Sequence, residues 1–144
     1  MATKKEKVNK LSAVPLFSEL SQKDLGRLCD MSKETVHRAG QSVVTEGKGG
    51  VGFHLILDGE AKVVRGGRTV ATLGPGDFFG EMTLIDGAPR SATVIAETDL
   101  TTAVLSQWEF RPLVKASPDM AWKLIVYLTA RVREEQKASD AALS

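Results

Sequence analysis

The sequence predicts a mainly β fold with flanking helices. From residue 35 to residue 106 the chain breaks into short runs rich in Val, Leu, Thr and Phe, separated by glycine-containing turns, as in β-sandwiches and barrels. After Leu105 the apolar residues change to a helical period. The 144 residues have the length of one domain, and 42% hydrophobic residues supply an ordinary core.

The chain begins with a polar segment, and a helix is predicted after it. Four lysines in residues 1–10 predict a solvated N-terminal tail. Ser21 is a suitable N-cap, and Asp24 lies in the first turn, where a carboxylate favours the helix dipole. The inner face of this helix is predicted to comprise Leu25, Leu28, Cys29 and Met31. We therefore interpret Cys29, the one cysteine of the sequence, as a small core residue and not as a nucleophile.

Seven strands are predicted between the turns. Their ranges are Thr35 to Arg38, Ser42 to Thr45, Gly52 to Leu57, Ala61 to Arg65, Arg68 to Leu73, Ser91 to Ala96 and Asp99 to Ser106. Asp58-Gly59 and Gly66-Gly67 supply positive φ angles, so both pairs predict two-residue hairpins between antiparallel strands.

Two helices are predicted after the strands. Gln107 to Val114 forms the first, and Pro118 opens a longer one that runs to about Gln136. The apolar residues of the second helix recur at helical spacing, which predicts that they pack on the sheets. This stripe comprises Met120, Leu124, Ile125, Leu128 and Val132, widened by Trp122 and Val126.

The most informative segment is residues 79–94, FGEMTLIDGAPRSATV, which we call the cassette. Gly80 allows close approach of the backbone, and one helical turn from Glu81 to Ile85 is predicted after it. Arg90 carries a planar fork of donors that suits two phosphate oxygens, while Ser91 adds a hydroxyl and Ala92 leaves its amide accessible. Glu81 is an acceptor suited to sugar hydroxyls. The pattern suits a sugar phosphate, but for Glu81 and Arg90 taken alone an ion pair between them is the commoner explanation.

The cassette resembles the phosphate-binding cassette of the cyclic nucleotide-binding domain family, which includes regulatory subunits of cyclic AMP-dependent kinase and the catabolite activator protein. The segment VPLFSELSQKDLGRLCDM, in which Val14, Leu16 and Phe17 are expected to dock, resembles the entry segment of that family. This resemblance implies an antiparallel, jelly-roll-like β-roll with N-terminal helices and a C-terminal lid helix. It places the domain at residues 11–137, with the β-roll at about 35–106, the C-terminal helices at about 107–137 and a tail at 138–144.

The resemblance also implies roles for single residues. Gly80 and Glu81 would contact the ribose 2'-hydroxyl, Arg90 the cyclic phosphate, and Ser91 with the Ala92 amide the remaining phosphate oxygens. Phe79, Met82 and Thr83 would complete the pocket, and Thr83 departs from the alanine that the family often carries. Arg131 stands where some bacterial ion-channel relatives place an arginine against the purine base, with Tyr127 and Val132 as alternative caps.

The resemblance implies a cyclic nucleotide sensor that repositions its C-terminal helix to regulate a partner or attached effector. We expect cyclic AMP as the ligand, with cyclic GMP as a weaker one, and no further cofactor or metal. A protein-interaction or dimerisation adaptor with a degenerate pocket stays open as an alternative, as does a nucleotide-processing enzyme. A homodimer through the C-terminal helix is compatible with the sensor.

Composition and motifs argue against several other classes. The net charge of +1 gives no electrostatic case for nucleic acid or an acidic membrane, and too few residues follow Val132 for a helix-turn-helix, so we expect no DNA-binding domain in this chain. No apolar run has the length of a membrane span or a secretory signal, which favours a cytoplasmic protein. His37 and His54 match no metal-ligand spacing, and no nucleophile constellation appears, so we expect no enzyme.

Overall fold

The computed structural model describes residues 2–49 and 52–143. These residues form two four-stranded antiparallel sheets with helices at both chain ends, which confirms the predicted fold class. The strands are β1 (Lys33–His37), β2 (Ser42–Val44), β3 (Gly52–Asp58), β4 (Ala61–Arg65), β5 (Arg68–Leu73), β6 (Phe78–Phe79), β7 (Thr93–Ala96) and β8 (Leu100–Ser106). The helices are α1 (Lys4–Ser12), α2 (Gln22–Met31), α3 (Thr83–Asp86), α4 (Gln107–Ala116) and α5 (Pro118–Leu143), with a 3-10 turn at Pro15–Phe17.

The strand order is β1-β8-β3-β6 in one sheet and β2-β7-β4-β5 in the other. The Gly66-Gly67 hairpin is confirmed, since Arg65 pairs with Arg68 and both glycines have positive φ. The Asp58-Gly59 hairpin is wrong, because β3 pairs with β6 and β8 while β4 pairs with β5 and β7. Gly59 instead carries the chain from one sheet to the other, and a Cβ there would overlap the Asp99 carbonyl.

The N-terminal segment is a helix, so the predicted tail at residues 1–10 is corrected by the structure. Thr3 caps α1 by accepting a hydrogen bond from the Glu6 amide. Val8 and Leu11 are buried in the core, and the Lys7 ammonium lies 2.8 Å from the Glu34 carboxylate. The segment thus has a narrow apolar face, which its four lysines make hard to recognise in the sequence.

The main core lies between the first sheet and the helices. Phe17 packs edge-on against Phe53, with ring centroids 5.4 Å apart, and contacts Phe110 at 6.1 Å. Val14, Leu16 and Phe17 are buried, and Cys29 is buried on α2, as predicted. A second, smaller cluster fills the space inside the roll, comprising Ile56, Ala61, Val94, Ala96 and Leu100.

Helix α5 packs on the core through its first three turns. Met120 and Leu124 are buried, and the helix contacts α4 and the Pro15–Phe17 turn. The predicted packing of the whole stripe is wrong, because the exposed side chains include Trp122, Ile125, Val126 and Val132. With 26 residues the helix is about 39 Å long, so its second half extends beyond the elements it contacts.

Candidate functional site

The cassette lines a cavity of about 330 Å³ against the second sheet. It brings together eight of the nine predicted site residues: Phe79, Gly80, Glu81, Met82, Thr83, Arg90, Ser91 and Ala92. The ninth, Arg131, does not line the cavity. The volume lies in the range of small-molecule sites.

Gly80 brings the backbone directly against Arg90. The chain leaves β6 at Phe79, and Gly80 has a φ of 83°, in the left-handed region that favours glycine. A Cβ at this position would overlap the Arg90 guanidinium and the Gly52 carbonyl oxygen. Glycine is therefore required here both by its φ angle and by the space that Arg90 occupies.

The Arg90 side chain is buried, with 6% of its surface exposed. Its Nη1 donates to the Thr83 hydroxyl at 3.3 Å, and its Nη2 donates to the Gly52 carbonyl. Burial lowers the pKa of Arg90, and the nearby Glu81 charge opposes that shift. Because an arginine guanidinium stays protonated in proteins, the cavity contains a desolvated positive charge.

The Nε of Arg90 is buried and has no hydrogen-bond partner in the described part of the chain. A buried donor without a partner costs free energy, so the guanidinium favours an additional acceptor.

The backbone of Arg90 is held by the loop after β2. The Arg90 amide donates to the Lys48 carbonyl at 2.9 Å, and the Arg90 carbonyl accepts from the Gly47 amide at 2.8 Å. Two backbone bonds thus fix the Cα position from which the guanidinium extends.

Glu81 lies on the same cavity but does not pair with Arg90. Within residues 2–49 and 52–143, no ion pair joins the two side chains, although the Glu81 charge affects the pKa of Arg90. An acceptor group and a donor group thus line one cavity, as a ligand with hydroxyl and anionic parts requires. The predicted helical turn forms as α3, which begins at Thr83, and ends at Gly87 in the left-handed conformation.

The remaining wall of the cavity is largely apolar. Val44, Val63 and Val94 contribute from β2, β4 and β7. A cavity with charged groups at the cassette and valines opposite suits a ligand that has both an anionic and a flat apolar part.

Arg65 is a lining residue that the sequence interpretation missed. It ends β4, and its Nε donates to the Ser91 carbonyl at 3.3 Å. The hairpin signal after it marks a turn, but only the pairing of β4 with β7 brings that turn beside the cassette.

His54 lies beneath the cassette on β3. Its ring stacks on Phe79, with centroids 4.8 Å apart and an interplanar angle of 7°. Burial, with smaller contributions from the charges of Arg90 and His37, lowers the pKa of His54 to about 3. The neutral ring is thus a structural support for β6.

Arg131 lies on the exposed part of α5. Its Nη1 donates to the Tyr127 hydroxyl at 3.0 Å, and that bond raises the pKa of Arg131. The charges of Glu135 and Glu81 raise this pKa by smaller amounts.

The described residues offer neither a metal site nor a membrane-spanning helix. They contain no group of three or more His, Cys, Asp or Glu side chains placed to hold a metal ion. None of the described helices combines the length and the apolar character that crossing a membrane requires.

The comparisons with known proteins agree with the geometry. A family model described as "Cyclic nucleotide-binding domain" matches residues 34–117. The cAMP-dependent protein kinase regulatory subunit of Yarrowia lipolytica is 41% identical over 106 residues, covering 72% of this chain and 28% of that protein. This chain spans about a quarter of the length of the fungal regulatory subunits that it matches.

Solved structures give the same result. The N-terminal domain of a transcriptional regulator from Streptomyces coelicolor A3(2) superposes with a TM-score of 0.83 at 26% identity, covering 90% of this chain and 96% of that one. A cyclic nucleotide-binding domain from Methylobacillus flagellatus KT has a TM-score of 0.73 at 32% identity, covering 94% of this chain and 81% of that one.

Proposed function

This chain belongs to the cyclic nucleotide-binding domain family, and we propose that it is a sensor whose cavity binds cyclic AMP, with cyclic GMP as a weaker ligand. The observation that carries the proposal is the buried Arg90, whose Nε has no partner and whose guanidinium lines the cavity. A phosphate oxygen is the acceptor that a desolvated guanidinium favours.

The proposed pose assigns the polar lining groups of the cavity to the polar parts of the ligand. The cyclic phosphate accepts hydrogen bonds from Arg90, Ser91 and the Ala92 amide, and Glu81 with Gly80 binds the ribose hydroxyl. Phe79, Met82 and Thr83 enclose the sugar and phosphate, and the base extends along the wall formed by Val44 and Val63. The match to a cAMP-dependent kinase regulatory subunit supports cyclic AMP as the preferred nucleotide.

The output of the sensor is proposed to be the position of α5. A ligand shifts a helix only if it contacts the helix differently in two arrangements. Arg131 supplies such a contact if α5 swings toward the cavity, because a guanidinium stacks on a purine face. The Glu81 carboxylate, which lines the cavity, carries the charge opposite to that of Arg131. The helix would then transmit binding to a protein partner or an attached effector.

We propose that the chain is not an enzyme and that it acts in the cytoplasm. The kinase relative is named as a regulatory subunit, which supports a regulatory role for this domain.

The experiment is a side-by-side calorimetric titration of cyclic AMP and cyclic GMP, with product analysis of the nucleotide after incubation. We expect saturable one-to-one binding, a lower Kd for cyclic AMP, and unchanged nucleotide. No heat from either nucleotide at millimolar concentration would contradict the sensor, and hydrolysed nucleotide would indicate an enzyme.

A second candidate, a dimerisation adaptor, is favoured by the exposed apolar residues of α5. Trp122, Ile125 and Val132 are each more than half exposed, at 66%, 52% and 65%. Sedimentation of wild type and of an Ile125→Asp, Val132→Asp double variant tests it. The adaptor predicts a dimer that the double variant dissociates, whereas a monomeric wild type contradicts it.

A further inference from the structure

We propose that Thr83 is a positioning residue for Arg90, holding the guanidinium so that it contacts one particular exocyclic oxygen of the bound phosphate. The inference rests on the proposed function, because it concerns how the same cavity binds the phosphate of its ligand. Thr83 also lines the cavity, but the role proposed here is exerted through Arg90.

The guanidinium is anchored at two of its three nitrogens. Nη2 is bound to the Gly52 carbonyl, and Nη1 is bound to the Thr83 hydroxyl. Because the group is planar, two anchored nitrogens fix its plane as well as its position. The free Nε edge then points in a defined direction.

The anchor at Thr83 is protected from water. Thr83 and Arg90 are each 6% exposed, so water cannot readily replace the hydroxyl as the acceptor for Nη1. A hydrogen bond from a charged donor in such surroundings is stronger than a neutral one. Alanine, which the resemblance favours at this position, has no side-chain atom that could accept a hydrogen bond from Arg90.

Without the Thr83 oxygen, the Gly52 carbonyl would be the one remaining acceptor for the guanidinium among the described residues. The plane could then rotate about that contact, and the second donor would lose its partner inside the protein. We expect Arg90 to still contact a phosphate in this case, but without a fixed choice between the two exocyclic oxygens.

The test uses the two phosphorothioate diastereomers of cyclic AMP, each of which replaces one exocyclic oxygen with sulfur. Sulfur is a weaker hydrogen-bond acceptor, so the ratio of the two Kd values reports how strictly Arg90 selects one oxygen. Wild type, Thr83→Val, Thr83→Ala and Thr83→Ser are titrated with cyclic AMP and with both diastereomers. Thr101→Val is the control, because Thr101 lies on β8 and does not line this cavity.

We expect Thr83→Val and Thr83→Ala to weaken cyclic AMP binding about tenfold and to move the ratio of the two diastereomers toward one. Thr83→Ser should restore both quantities, and Thr101→Val should change neither. Thermal unfolding of each variant identifies the folded chains, and using two hydroxyl-free variants keeps the test available if one fails to fold.

Three results would overturn the inference. The first is wild-type affinity in both hydroxyl-free variants, and the second is weaker binding with the wild-type ratio preserved, which indicates a merely structural role. The third is a wild-type ratio of one. If wild type binds none of the three ligands, the proposed function itself fails, and this outcome is distinct from the other three.

Discussion

The ring of His54 stacks face to face on Phe79, the last residue before Gly80 in the cassette. The stack joins the central strand β3 of the first sheet to the short strand β6. It requires a neutral imidazole in a buried site, where burial lowers the pKa of His54 to about 3.

Stability is therefore expected to depend on pH through His54. The ordinary pKa of histidine is 6.5, so between pH 6.5 and about 3 the unfolded chain binds a proton that the folded chain does not. Above pH 6.5, His54 does not reduce the free energy of unfolding. Below pH 6.5, this free energy decreases as the pH falls. At pH 5 the loss should be about 2 kcal/mol relative to pH 8, as measured by urea unfolding.

The matched variant for this prediction is His54→Leu, which removes the titrating group at similar volume. Its unfolding free energy should vary less between pH 8 and pH 5 than that of wild type. His37→Gln is the control and should change the pH dependence less, because His37 is only partly buried. An unchanged pH dependence in His54→Leu would refute the assignment.

Gly80→Ala should damage both the fold and the site. The new methyl group meets the Arg90 guanidinium and the Gly52 carbonyl, and alanine is strained at a φ of 83°. We expect a loss of about 1 to 3 kcal/mol in unfolding free energy together with weaker cyclic AMP binding.

Gly74→Ala is the control for Gly80→Ala. A Cβ at position 74 meets nothing within 4 Å, so stability should change by less than about 0.5 kcal/mol. Equal stability of the two alanine variants would show that Gly80 and Arg90 are not in contact.

Arg90→Gln should cost cyclic AMP binding on the order of 3 to 5 kcal/mol, because a buried phosphate loses its charge-assisted partner. Arg90→Lys keeps the positive charge but loses the planar pair of donors. Its affinity for cyclic AMP should therefore lie between those of wild type and Arg90→Gln. Arg38→Gln, at an exposed position, is the control in the same calorimetric titration. Unchanged affinity in Arg90→Gln would mean that the phosphate binds elsewhere.

Arg131→Ala should weaken cyclic AMP binding while sparing the fold. Arg131 is exposed, and its hydrogen bond to the Tyr127 hydroxyl lies on the helix surface. Removing the side chain should therefore leave the core intact. Arg133→Ala, also exposed on α5, controls for a general loss of positive charge. If both variants bind as wild type does, α5 does not cap the base through Arg131.

Local signals in the sequence predicted much of the fold. The bounds of β4 and β5 agree with the structure, because Gly66-Gly67 can adopt positive φ at both residues and so fixes the register of its hairpin. The Asp58-Gly59 prediction failed although the signal is similar. Strand β3, which precedes this turn, pairs with β6 and β8, and strand β4, which follows it, pairs with β5 and β7. These tertiary pairings, and not the turn, decide which sheet each strand joins.

Helix α1 and the two-residue strand β6 were missed for different reasons. Only Val8 and Leu11 of α1 are buried, so its lysines dominate the local pattern. β6 is too short to show alternation and exists because His54 and Leu55 pair with it.

The part of the candidate site that was predicted is the part formed by one contiguous segment, the cassette. The cassette residues converge on one cavity, but Arg65 and the valine wall enter it through strand pairing that no local pattern reveals. The proposed lid role of α5 depends on a second arrangement of the helix, which a single sequence pattern does not encode.

The most direct test of the central claim is a crystal structure of the chain grown with cyclic AMP. We expect nucleotide density in the cavity lined by the cassette, with the phosphate in hydrogen-bond contact with Arg90 and Ser91 and the ribose hydroxyl on Glu81. An empty cassette cavity, or a nucleotide bound with its phosphate away from Arg90, would contradict it.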